Sequence, residues 1–130
     1  WLDPSIRSVY FSRSTLMKLA AQYWRYGFWK FKMLKRYPHT LKWRQALPPV
    51  FVFILVALIV LSLGIEFARY LLALQLSFYF LVLGVAGLLL AIKKKKGFLL
   101  WGLPLAIATM HITWGAGFLR SGIMSIFKNG

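Results

Sequence analysis

The sequence predicts an all-α membrane protein: a cytoplasmic interfacial amphipathic helix followed by three transmembrane helices. Three observations carry that expectation. Three uninterrupted apolar stretches each approach the roughly 20 residues that a helix needs to cross a bilayer. Hydrophobic residues make up 60% of the 130-residue chain, too large a share for an ordinary soluble domain. The charge is almost all positive, with 17 Lys and Arg against two acids, Asp3 and Glu66, for a formal net charge of +15.

The first element lies in a basic segment, residues 1–45. Ser14 is placed to cap a helix that runs to about Tyr37, where Pro38 stops it. On that helix Lys18, Gln22, Arg25, Trp29, Lys32 and Arg36 recur at steps of four and three, forming one polar, basic stripe. Leu16, Ala20, Tyr23, Gly27, Phe31 and Leu34 form a second stripe, with Trp24 and Phe28 beside it. A helix with cations on one side and aromatics on the other lies in the plane of the membrane interface. Trp24, Trp29 and Trp43 suit headgroup depth, where an apolar ring with one polar edge is stable.

The second region, residues 46–130, holds spans at about 47–65, 71–92 and 98–119, with no Lys, Arg, Asp or Glu in their interiors. Pro48-Pro49 would fall in the first turn of the first span, where a missing N–H is tolerated. The connections, Glu66 to Tyr70 and Lys93 to Gly97, are short enough to make neighbouring spans antiparallel. Gly84, Gly87, Gly115 and Gly117 would permit close helix approach.

Orientation is expected from the cations. Arg7, Arg13, Lys18, Arg25, Lys30, Lys32, Lys35, Arg36, Lys42 and Arg44 precede the first span, and Lys93 to Lys96 fall on the same side. Only Arg69, Arg120 and Lys128 fall opposite. The positive-inside rule then makes this a multi-pass protein of the cell (inner) membrane, with its N-terminal segment cytoplasmic and its C-terminus outside. The four lysines need no role beyond anchoring topology and meeting lipid headgroups.

Several function classes fall away. The aromatics of the basic helix would face a membrane rather than stacked bases, so nucleic acid is not the expected partner; membrane lipids are. No cysteine is present for a disulfide or thiolate site. Trp1-Leu2-Asp3-Pro4 lacks the pattern of a signal peptide and reads as the interior of a longer polypeptide.

The run Gln22-Tyr23-Trp24-Arg25-Tyr26 carries the functional expectation. Gln22 and Arg25 share a helix face, with Tyr26 immediately after. Gln22-x-x-Arg25-Tyr26 resembles the Gln-x-x-Arg-Trp signature of membrane-anchored family 2 glycosyltransferases, which build polysaccharides or lipid-linked sugars. The segment from Leu2 to Pro38 with its following spans, and "MHITWGAGFL" in the last span, are similar to the C-terminal part of succinoglycan-type members. The resemblance covers nearly the whole chain but only about the C-terminal third of a typical member. It implies that Gln22 and Arg25 help hold a nucleotide-sugar pyrophosphate and that Tyr26 lies near the glycan or lipid-linked acceptor. A guanidinium offers forked donors to phosphate oxygens, and an amide adds a donor without a competing charge. Tyr26 departs from the family's Trp, which leaves acceptor specificity open.

The resemblance also implies Mg²⁺ or Mn²⁺ in the parent enzyme, held by an Asp-x-Asp motif in a preceding Rossmann-like domain. Asp3 and Glu66 are too far apart in sequence to replace such a pair, and no cofactor is expected in this chain. No residue is therefore assigned a catalytic role, and the chain alone is expected to be inactive. A non-enzymatic small membrane protein, binding anionic lipid or a partner through the basic helix, is the alternative.

Gln75 and His111 are polar groups at membrane depth, where such groups are expensive and often functional. His111, near Thr109, Thr113 and Trp114, could line the path of a lipid-linked acceptor. An interhelical hydrogen bond that fixes packing is the simpler role for both.

Overall fold

The computed structural model describes residues 15–40 and 42–128; Asp3, Arg7, Arg13 and Ser14 lie outside them. The described chain consists of α1 (Leu16–Arg36), a short 3₁₀ turn (Pro38–Thr40), α2 (Trp43–Leu61), α3 (Glu66–Lys94) and α4 (Leu99–Lys128). The last three helices are each long and apolar enough to cross a membrane, so this is an all-α membrane protein.

Local chemistry explains the helix ends. The Thr15 hydroxyl accepts from the Lys18 amide at 3.3 Å, so Thr15 caps α1. At the other end the Tyr37 amide closes on Met33 O at 2.7 Å, and Lys35 and Arg36 meet the negative end of the helix dipole. The next helix, α2, starts at Trp43, earlier than the apolar run suggests. There the Gln45 amide bonds Lys42 O at 2.8 Å while the Gln45 side chain accepts from the Lys42 amide at 3.4 Å. Pro48 and Pro49 consequently sit inside α2, past its first turn. Lacking N–H groups, they leave the Arg44 and Gln45 carbonyls without their helical donors.

Glu66 to Tyr70 proves to be the opening of α3 rather than a connection. The turn before it is held by Arg69, whose guanidinium Nε donates to Ser62 O at 2.9 Å beyond the end of α2. The other end of α3 stops at Lys95, a non-glycine residue in the left-handed region at φ 54°. The Lys96 amide reaches back to Ala91 O at 3.1 Å, which closes the last turn. Beyond this turn, α4 continues past the expected Leu119 as far as Lys128.

Packing is organised around α4, which touches all three other helices. Side-chain burial is sparse: Val52, Ala68 and Leu83 are the buried large or aliphatic residues among those described, and most other apolar side chains point outward. Between such helices close backbone approach replaces a thick core. A Cβ on Gly115 would meet Pro48 O of α2 at 2.6 Å, and one on Gly87 would meet Leu100 O of α4 at 2.8 Å. Pro104 frees that Leu100 carbonyl from its helical bond, and Gly87 leaves room for both the carbonyl and the proline ring. Gly117 abuts the Trp24 carbonyl of α1. Gly84 differs from expectation, with open space around it.

The most extensive helix contact joins α1 to α4, and among the described residues α1 touches no other span. Trp24 meets Gly117, Phe31 meets Gly122 and Lys35 meets Ser125, so the two helices run in the same direction. The apolar stripe of α1 is thus spent largely on α4. This register also places α1 beside Arg120, whose guanidinium lies 5.7 Å from the Trp24 ring centre. The contacts place α1 along the second half of α4, away from Lys93 to Lys96.

Candidate functional site

The motif residues stand on the side of α1 turned away from α4. Gly27, buried against Trp114, marks the packed side, and Phe31 packs edge-on against Phe118 with ring centres 5.2 Å apart. Arg25 is half a turn from Gly27 and exposed, as are Lys18, Lys32 and Arg36. Tyr26 is 54% exposed and Gln22 half-buried.

Within the trio, Gln22 and Tyr26 are joined: the Gln22 amide Nε2 donates to the Tyr26 hydroxyl at 2.7 Å. One turn separates them, the spacing at which helical side chains meet. Arg25 Nε donates to the Ala21 carbonyl on its own helix at 3.3 Å. That bond uses one of five guanidinium donors, leaving the terminal nitrogens able to grip an oxyanion in a fork. The neighbouring cations are held too. Lys32 Nζ lies 4.6 Å from the Trp29 ring centre, and Lys30 Nζ donates to Thr40 O at 3.1 Å. The arrangement is a fixed basic and aromatic face suited to phosphate oxygens. Among the described residues this face carries no carboxylate.

Gln75 and His111 belong to a separate place, between α2, α3 and α4. The Tyr79 hydroxyl and His111 Nδ1 are 3.2 Å apart, joining α3 to α4. Gln75 Nε2 donates to Phe51 O on α2 at 3.4 Å, and the Phe51 ring stacks on Tyr79 with centres 4.5 Å apart. Gln75 Oε1 is buried without a partner at the wall of a cavity of about 410 Å³. The structure therefore brings Gln22, Arg25 and Tyr26 into one stripe and Gln75 and His111 into one interior cluster. It does not join the two groups, because α1 makes no contact with α3.

Tyr79 and Phe51 escaped the sequence reading. Tyr79 follows Gln75 by one helical turn, a signal that was present, whereas Phe51 enters through its backbone carbonyl, which no sequence pattern marks.

The resemblance assigns its divalent cation to a preceding domain rather than to these residues. Among those described, no three His, Cys, Asp or Glu side chains converge. The Glu66 carboxylate instead accepts from the Tyr70 hydroxyl at 3.4 Å. No protein-family model, curated protein or solved structure matches this chain.

Proposed function

We propose that this chain is the membrane-anchoring region of a family 2-type glycosyltransferase. In that reading α1 supplies one wall of a nucleotide-sugar site at the membrane surface. Arg25 and Gln22 bind the donor diphosphate, and Tyr26 borders a glycan or lipid-linked acceptor. The metal, the general base and the sugar pocket belong to a catalytic domain outside this sequence, so these 130 residues alone turn over no substrate.

The observation that carries the proposal is the stripe of Lys18, Arg25, Lys32 and Arg36, exposed on a helix whose other side is locked to α4. Four cations facing acyl chains would be strongly unfavourable, so a polar phase or a polar partner must cover them. A catalytic domain carrying an anionic nucleotide-sugar meets that requirement, and the resemblance of Gln22-x-x-Arg25-Tyr26 to the transferase signature supports that kind of domain.

One observation favours a second reading. Gln22 and Arg25 hydrogen-bond within α1 rather than converging on a common point. A basic helix bound to anionic lipid, with no enzymatic role, needs only the charge. Equilibrium binding of uridine and guanosine diphosphate to the chain in nanodiscs separates the two. The transferase reading expects saturable diphosphate binding weakened about tenfold by Arg25→Ala, the size of one charge-assisted contact, and little changed by Lys95→Gln. Equal weakening by both variants, or no saturable binding, would favour the lipid reading.

A further inference from the structure

A cavity of about 500 Å³ separates the last turns of α1 and α4, away from the motif. Its polar wall is made of Lys32 and Lys35 from α1 and Ser121 and Ser125 from α4. Lys35 Nζ donates to Ser125 Oγ at 2.9 Å, and Lys32 Nζ sits 4.7 Å from the Phe28 ring centre. Two ammonium groups therefore border one small space, while Glu66, the sole carboxylate among the described residues, is engaged with Tyr70.

Ser121 supplies an independent sign that the cleft is a binding site. It is only 3% exposed, yet its hydroxyl has no hydrogen-bond partner among the described residues. The two threonine hydroxyls of α4 satisfy themselves on their own helix. Thr109 donates to Leu105 O at 2.7 Å and Thr113 to Thr109 O at 2.6 Å. Ser121 does not use this outlet, and leaving a buried donor unpaired is costly. An acceptor oxygen in the cavity would satisfy it, and the two lysines require that this acceptor be anionic.

The rest of the wall selects the ligand's other end. Phe31 and Met124 also line a second cavity, about 600 Å³, between α2 and α4, where Val52, Val56 and Ile123 make the surface apolar. The basic end thus opens toward a greasy groove, close to Arg120 and the end of the α4 span.

We propose that this cleft holds one anionic phospholipid, its phosphate between Lys32, Lys35 and the two serines. One acyl chain passes over Phe31 and Met124 into the groove between α2 and α4. The lipid cements α1 to α4, and this role holds whether or not the motif serves a transferase. A free phosphate would fill the polar end but leave the groove unused.

Native mass spectrometry of the full chain tests the assignment, with phosphatidylglycerol, phosphatidylcholine or inorganic phosphate as probe. The expected result is a retained phosphatidylglycerol adduct, preferred over phosphatidylcholine and not displaced by inorganic phosphate. Lys32→Gln with Lys35→Gln should cut its retention about tenfold or more, and Ser121→Ala should cut it too, while the charge-matched Lys93→Gln with Lys94→Gln should leave it within about twofold. Equal loss in the two double variants would overturn the proposal. So would no preference for the anionic lipid, or binding of inorganic phosphate in its place.

Discussion

Gly27 of α1 rests directly on the backbone carbonyl of Trp114 in α4, with no space for even a methyl group between them. Gly117 meets the Trp24 carbonyl from the other direction, so each helix presents a glycine to the other's backbone. The orientation of the Arg25 stripe depends on this double contact, because it sets which side of α1 faces out.

Adding one carbon should therefore loosen the pair. Gly27→Ala and Gly117→Ala are expected to weaken α1 docking by about 1–3 kcal/mol, the usual range for overpacking. Gly84→Ala, with open space around it, should change nothing beyond a small gain in helix propensity. Hydrogen exchange of α1 amides in detergent checks this: faster exchange is expected in the first two variants and not in the third.

The α3–α4 bond between Tyr79 and His111 should be structural. Tyr79→Phe and His111→Ala are each expected to destabilise the helical unit, with a coupling near the ~0.6 kcal/mol average for hydrogen bonds between membrane helices. A double-mutant cycle by denaturation in mixed micelles reads it. Strict additivity of the two changes would show that the contact stabilises nothing.

Gln75 is expected to behave differently, because its Oε1 is already buried without a partner. Gln75→Leu removes that penalty along with the long 3.4 Å bond to Phe51 O, and should be neutral or stabilising by up to about 1 kcal/mol. The same unfolding assay checks it. A loss comparable to that of His111→Ala would mean that the amide makes a stronger contact in the bilayer.

Lys95 adopts a backbone conformation that costs an L-residue about 1–2 kcal/mol relative to glycine's freedom. Lys95→Gly should raise the apparent melting temperature of the detergent-solubilised chain slightly, despite the lost cation. Thermal unfolding followed by circular dichroism gives the sign.

The spans were legible because apolar length is a one-dimensional signal. Leu47 to Ile65 could be marked as a crossing without knowing its neighbours. The helix ends were less legible: hydropathy sees neither the Lys42–Gln45 contact that starts α2 early nor the Arg69 bond to Ser62 O that shortens the turn. Periodicity alone put Gly27 and Phe31 on one face of α1 and Arg25 on another, as they stand in the structure. What each stripe meets was not legible. Gly27 and Phe31 read as membrane-facing until the register of α1 on α4 was known, and register depends on three-dimensional fit between glycines far apart in sequence. Ser121 carried a faint signal, standing four residues after Gly117 in a small-residue pair, but its orphaned hydroxyl is visible only in the packed structure.

The central claim is that α1 docks along the second half of α4, ending beside Ser125 and far from the Lys93 to Lys96 turn. The absence of native cysteine allows a direct test with introduced pairs in proteoliposomes. Lys35→Cys with Ser125→Cys should be bridged efficiently by a short bismaleimide, and Lys35→Cys with Lys95→Cys should not. Bridging of the second pair instead of the first would contradict the docking.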